Sequence, residues 1–201
     1  MRTSSTTITT IFISLLMCCA AQAATAAELE QAQTTLKLPI RTDLSAGNQI
    51  FLLVNIPDRF RSLSKDPARV PQFIPADENQ ANCSEHITGQ TFLGSTFDAD
   101  DLMGKFQTAL KSYATSKILK ESDERFGGFY TRYRVSSCII TYKTYKNPEQ
   151  EEAILLKYYS GPADCSTFQY AIAVKPNMTE DSIIKKLEDF ERNHTQIVEN
   201  F

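Results

Sequence analysis

Between Gly128 and Lys175, three apolar stretches are separated by nothing longer than a short turn. "GFYTRYRVSSCIITYKTYK" runs into "NPEQ", "EAILLKYYS" into "GPADC", and "TFQYAIAVK" closes the set. Strands joined by connections this short must run antiparallel, because a parallel crossover needs a dozen residues or more. In the third stretch Phe168, Tyr170, Ile172 and Val174 occupy alternate positions, the period of a strand that buries one face. The first stretch is long for a simple strand, and Ser136-Ser137 are expected to mark a bulge or bend in it. A turn at "NPEQ" places Cys138 near Tyr159 across the ladder, and "GPADC" starts Cys165 beside Ser160.

Two helical stripes flank this meander. Asp98, Asp100 and Asp101 sit where free N–H groups favour acids, ahead of Met103, Phe106, Leu110, Tyr113 and Lys117, with Leu102, Ala109, Ala114 and Ile118 widening the stripe. This helix is expected to end near Lys120. Thr179 caps the second, whose stripe is Ile183, Leu187, Phe190, His194 and Ile197. Upstream, "QIFLLVNIP" and "HITGQTFLG" read as strands, "RFRSLS" alternates weakly, and "VPQFIP", bounded by prolines, reads as an edge strand. Gly89 marks a bulge or a close backbone contact. Amphipathic helices need a sheet to cover, and both are expected on one face of it. The fold class is α+β: a twisted, mainly antiparallel sheet with two main amphipathic helices, in a single domain over residues 49–201.

The start of the chain reads differently. Arg2 is followed by "IFISLLMCCA", about ten apolar residues and too short to span a bilayer as a helix, then "AQAATAAE" with small residues in A-x-A order. This is the pattern of a secretory signal peptide over residues 1–26, cleaved after Ala23 or Ala26, with an N-terminal extension at 27–48. A lipidated Cys18 or Cys19 is the other reading, against which stands the bulk of Met17. Location is then periplasmic or extracellular, and the mature chain is expected to have no transmembrane segment. Loss of Arg2 leaves 20 basic residues against 24 acidic ones, a balance of −4. That balance lacks the basic excess of a nucleic-acid binder. Asn82, Asn177 and Asn193 head N-x-S/T triplets, which matter only in a glycosylating host.

The segment "QFIPADENQANCSEHITGQTF" resembles small exported bacterial proteins of unknown function with a PsbP/Mog1-like sandwich. The match runs through Phe73, Pro75, Glu78, Asn82, Glu85, Ile87 and Thr88, with Cys83 where the pattern has tryptophan. The resemblance implies a twisted antiparallel sheet with helices on its faces.

Export exposes Cys83, Cys138 and Cys165 to an oxidising compartment, where three cysteines leave one odd thiol. Cys138–Cys165 is the expected bridge and Cys83 the odd, packed thiol, with Cys83–Cys165 and Cys83–Cys138 as the other pairings. Cys83-Ser84-Glu85-His86 could also be half a zinc corner or part of a thiol site, and His194 could approach His86 to form a pair. The acids at Asp98 lack the sixth-position glycine of a calcium loop. No nucleophile elbow, zinc-protease helix, phosphate loop or dinucleotide fingerprint occurs in the sequence, so no cofactor and no metal is expected. Tyrosine and arginine on the meander, among them Tyr130, Arg132, Arg134 and Tyr158, suggest a partner face, although aromatic residues also simply suit strands. The function expected is a monomeric, non-enzymatic accessory or binding protein for an unknown protein or small-molecule ligand. The alternative is a thiol- or His-dependent hydrolase using Cys83 and His86.

Overall fold

The computed structural model describes residues 34–42, 49–63, 70–80, 83–93, 99–126, 133–161 and 164–200. Among these residues ten strands and two helices follow one another: β1 (Thr35–Thr42), β2 (Gln49–Asn55), β3 (Phe60–Ser62), β4 (Gln72–Pro75), β5 (Glu85–Leu93), α1 (Ala99–Lys111), β6 (Ala114–Phe126), β7 (Tyr133–Thr144), β8 (Asn147–Ser160), β9 (Asp164–Ala173), α2 (Glu180–His194) and β10 (Thr195–Asn200). Seven strands form one sheet in the order β3-β4-β5-β9-β8-β7-β6, and three form a smaller one in the order β1-β2-β10. Every pairing is antiparallel. The α+β class and the sheet character expected from sequence are therefore the observed ones.

The helices do not share a face. Leu102, Met103, Phe106 and Leu110 of α1 pack on Cys138, Ile140, Ile154, Leu156 and Tyr158. Ile183, Leu187 and Phe190 of α2 pack on the opposite face, against Ile139, Leu155, Phe168, Tyr170 and Ile172. The smaller sheet covers the rest of that second face with Leu38, Ile40, Ile50, Leu52 and Val54. The reason lies in the period of the strands: neighbouring residues such as Cys138 and Ile139 point to opposite sides, so a sheet apolar at consecutive positions must be covered twice. Each helix buries three or four large apolar side chains, worth about 1.5–3 kcal/mol apiece.

Three boundaries depart from the sequence expectation. First, α1 stops at Lys111 rather than Lys120. Ser112 N–H bonds to the Ala109 carbonyl and Tyr113 N–H to that of Leu110, a tightened last turn, and the Ser112 hydroxyl also donates to Ala109 at 2.6 Å. Lys117 and Ile118 continue the helical spacing by coincidence and lie in β6. Second, α2 ends at His194. Thr195 closes it by donating both its N–H and its hydroxyl to the Glu191 carbonyl, and the chain enters β10 with no loop, so Ile197 is a strand residue. Third, Thr35–Thr42, placed by sequence in an N-terminal extension, is β1 and pairs along β2.

Register also differs in detail. The turn between β7 and β8 is Tyr145–Lys146, so Asn147–Gln150 already belongs to β8 and Cys138 lies opposite Leu156 instead of Tyr159. The ladder runs unbroken through Ser136-Ser137, and the irregularities fall at Ile118/Lys120 and Lys143/Thr144. The "VPQFIP" strand is β4, which lies inside the sheet between β3 and β5. Gly89 does mark a close contact. A Cβ there would stand 2.7 Å from Leu36 Cδ2 and 2.8 Å from Leu38 Cδ1, so β1 crosses directly over β5 at this point.

Candidate functional site

Three of the lysine–glutamate pairs that tie α2 to the large sheet involve β6 and β8. Lys117 and Lys120 of β6 meet Glu180 and Glu188, and Lys157 of β8 meets Glu191. The two outer pairs are solvent-exposed and contribute at most about 1 kcal/mol each. The Lys157–Glu191 pair is the most enclosed of the three.

Beyond Glu191 the helix ends, and its cover over β6 ends with it. Ser122, Glu124 and Phe126 continue along the α2 side of β6, because alternate residues share a face. Between them and β10 opens a cavity of about 340 Å³. Its floor is apolar, formed by Leu52 of β2, Val135 of β7 and Tyr159 of β8. Phe126 and Ile197 wall it and remain 39% and 37% exposed, two of the few large apolar side chains left open to water. Phe126 is held upright by stacking on Tyr133 at 5.3 Å between ring centres.

Charge rims this cavity unevenly. Lys157 is held by Glu191, and Arg192 donates to Asp189 at 3.2 Å. Burial, then the nearby Glu191, pushes the Tyr159 hydroxyl well above its ordinary 10, so it stays a neutral phenol. On the opposite face of β6, Asp123 takes two bonds from Arg134 at 2.6 and 2.7 Å, which holds its carboxyl below the ordinary 3.8. Glu124, which lines the cavity, has no ion-pair or hydrogen-bond partner among the described residues. The outer backbone row of β6 is likewise open: within the described residues β6 pairs with β7 alone and ends the seven-stranded sheet.

A second polar cluster sits at the far end of the same face. Glu85, only 9% exposed, accepts from Arg59 at 2.7 Å, from the Tyr170 hydroxyl at 2.7 Å and from Lys186 at 3.0 Å. Burial alone would raise its pKa. The bonds from Arg59, Tyr170 and Lys186 outweigh that and set it below the ordinary 4.5. This carboxylate of β5 ties together α2, β9 and the turn before β3. Glu78 does a similar task for the preceding loop, accepting from Ser84 N–H at 2.5 Å and Ser84 Oγ at 2.7 Å.

The residues singled out in sequence are spread across both faces. Glu85 faces α2, whereas His86, one residue on, faces α1, where burial lowers its pKa from the ordinary 6.5 and Glu152 opposes the shift. His194 packs on Phe190 at 4.6 Å, on the Glu85 side. There burial, then the charge of Arg59, lowers its pKa, against a bond to the Asn55 backbone. The sheet therefore separates the two histidines, and the pair considered from sequence is not assembled.

Cys83, Cys138 and Cys165 are thiols. The expected Cys138–Cys165 bridge is not formed, and the register explains why. Cys165 lies opposite Ser160, and Ser160 opposite Arg134, so Cys138 is two strands and four residues away. That is about 10 Å across and 13 Å along the sheet, far beyond the roughly 4.4–6.8 Å between α-carbons that a disulfide requires. Burial, then Glu121, pushes the Cys138 thiol up to about 12.

The tyrosine–arginine face fares no better as a unit. Tyr158 is 0% exposed under α1, and Arg134 is spent on Asp123. Tyr130 and Arg132 lie outside the described residues. Among the described residues no group of three or more His, Cys, Asp or Glu could hold a metal ion, and no helix is long and apolar enough to cross a membrane.

Glu124, Phe126 and Ile197 were missed by sequence reasoning. A phenylalanine followed directly by Gly127-Gly128 at the end of a charged strand was the available signal.

No family model matches the chain, and no curated protein matches it. Among solved structures it is similar to the Ran-binding protein Mog1p of Saccharomyces cerevisiae, at 9% identity and a TM-score of 0.46 over 82% of this chain and 96% of that one. A mutant of protein Mog1 gives 9% and 0.47 over 81% and 95%. Cyanobacterial PsbP (CyanoP) from Synechocystis sp. PCC 6803 gives 10% and 0.42 over 87% and 98%. The α+β sandwich itself rests on the topology described above.

Proposed function

We propose that this is an exported, non-enzymatic accessory or binding protein, and that the cavity between β6, the end of α2 and β10 is where it holds its ligand. The observation that carries this reading is the lining: an apolar floor, two exposed apolar walls and one carboxylate with no partner among the described residues, the composition of a recognition site. Export rests on the apolar run and A-x-A pattern of residues 1–26. The hydrolase alternative is disfavoured by the opposite facings of Glu85 and His86 and by the sheet between His86 and His194.

The test is a methyl-resolved NMR titration of the protein with small-molecule and peptide fractions of an envelope extract. Selective shifts of Leu52, Val135 and Ile197 methyls support the reading. Silent methyls, together with ester or amide hydrolysis that disappears in Cys83→Ala, would replace it with the enzyme.

A further inference from the structure

Resting on that reading of the cavity, we infer that its occupant is an extended peptide segment of a protein partner, which adds to the open edge of β6 as an eighth strand. A closed pocket would need only side chains to recognise its ligand. Here the cavity is built against the last strand of a sheet, thirteen residues long, whose outer N–H and C=O groups have no partner among the described residues. Such an edge is a template for strand addition, with main-chain bonds giving affinity and side-chain pockets giving specificity.

The two halves of β6 differ in how far they allow this. The first half carries the irregularity between Ile118 and Lys120, and its Lys117 and Lys120 are tied down to α2. Lysines and bulges are the common devices that keep strangers off an edge. The second half, Glu121–Phe126, pairs with β7 in unbroken register from Cys138 to Tyr133 and ends beside the cavity.

The cavity side of this half sets the sequence of the guest. Glu124 and Phe126 are two apart and share a face, and a paired strand sets its own side chains directly opposite them. Phe126, with Ile197 and Leu52 behind it, takes an apolar side chain. Glu124, without a cation of its own among the described residues, takes a lysine or arginine. Antiparallel addition, as throughout this sheet, orders these as an apolar residue, any residue, then a basic one. A second copy of β6 fits less well, because the Ile118-Leu119-Lys120 run that could supply this order is interrupted by the irregularity and its Lys120 is held by Glu188.

The probe is the capped hexapeptide Ac-Thr-Leu-Thr-Lys-Thr-Thr-NH2, titrated into the protein by calorimetry and followed by ¹⁵N–¹H spectra and amide exchange. Saturable binding is expected, with shifts at Ser122, Glu124, Phe126 and Ile197 and amide exchange across Glu121–Phe126 slowed about tenfold or more. Glu124→Lys should weaken this peptide about five- to tenfold and favour the version with Glu in place of Lys. Equal binding of a peptide N-methylated on alternate amides, with the cavity shifts retained, overturns strand addition while leaving a ligand site in place. Absence of any shift at the cavity residues on adding the hexapeptide overturns the proposal, as does a β6-dependent dimer in sedimentation that the peptide cannot displace.

Discussion

The Tyr170 hydroxyl donates to the Glu85 carboxylate over 2.7 Å, from a strand whose directly opposite residue is Ile172. The bond is therefore diagonal. It lets one carboxylate, nearly shut off from water, collect a phenol from β9, a guanidinium from the turn before β3 and an ammonium from α2. Removing the acceptor strands three donors at once. Glu85→Ala should cost about 3–4 kcal/mol in urea unfolding, reduced from the upper range for buried pairs because Arg59 and Lys186 reach water. Tyr170→Phe, which removes one donor, should cost about 1.5–2 kcal/mol. Equal losses in the two variants would mean the carboxylate is not the hub.

Acid should weaken the fold in two stages. His86 and Glu85 both have folded pKa values below their unfolded ones. In each case the unfolded chain binds the proton more readily, so the stability contributed is complete above the unfolded value and is lost as pH falls to the folded value. For His86 the loss begins near 6.5, and for Glu85 near 4.5. Denaturation midpoints across this range check it. His86→Asn should flatten part of the upper stage, to which His194 also contributes, and Glu85→Gln part of the lower stage, to which Asp123 also contributes.

Gly89→Ala should destabilise the fold by about 1–3 kcal/mol, because the new methyl meets Leu36 and Leu38 at the crossing of β1 over β5. Thermal unfolding reads this directly. A neutral result would show that β1 can lift off β5.

Phe106→Asp and Leu187→Asp should each prevent folding, since each buries an unpaired charge. The milder pair is more informative. Phe106→Ala and Leu187→Ala lie in separate clusters on opposite faces, so their costs should add within about 0.5 kcal/mol. Strong coupling would mean that the sheet passes strain from one layer to the other.

Thiol mapping should find Cys138 and Cys165 unlabelled by iodoacetamide in the native protein and labelled after denaturation, with Cys83 reacting first. A cross-linked peptide joining Cys138 to Cys165 would require strands to move apart from the register observed here.

The meander was legible in sequence because short turns leave no freedom of direction, and α2 because Thr179, Glu180 and the Ile183–Leu187–Phe190 stripe agree with one another. Where local signals conflicted with pairing, pairing prevailed. Tyr113 and Lys117 keep helical spacing, yet β7 offers β6 a partner at every residue from Ala114 to Phe126 except Leu119. Helix sidedness was not legible, since a strand apolar on both faces does not say which helix covers which. The candidate site was hidden for a related reason. Glu124, Phe126 and Ile197 become neighbours only where α2 stops and β10 returns, a relationship between segments distant in the chain that no local pattern encodes.

The direct passage from His194 into Thr195 has a temporal consequence. The small sheet takes its central strand β2 and one neighbour, β1, from residues 35–55, but its other neighbour, β10, is spooled out by the end of the second helix. Until that helix has seated, Leu52 and Val54 lack the cover of Ile197 and Thr195. Contacts of such long span form slowly, so the pairing of β10 with β2 completes the small sheet late in folding.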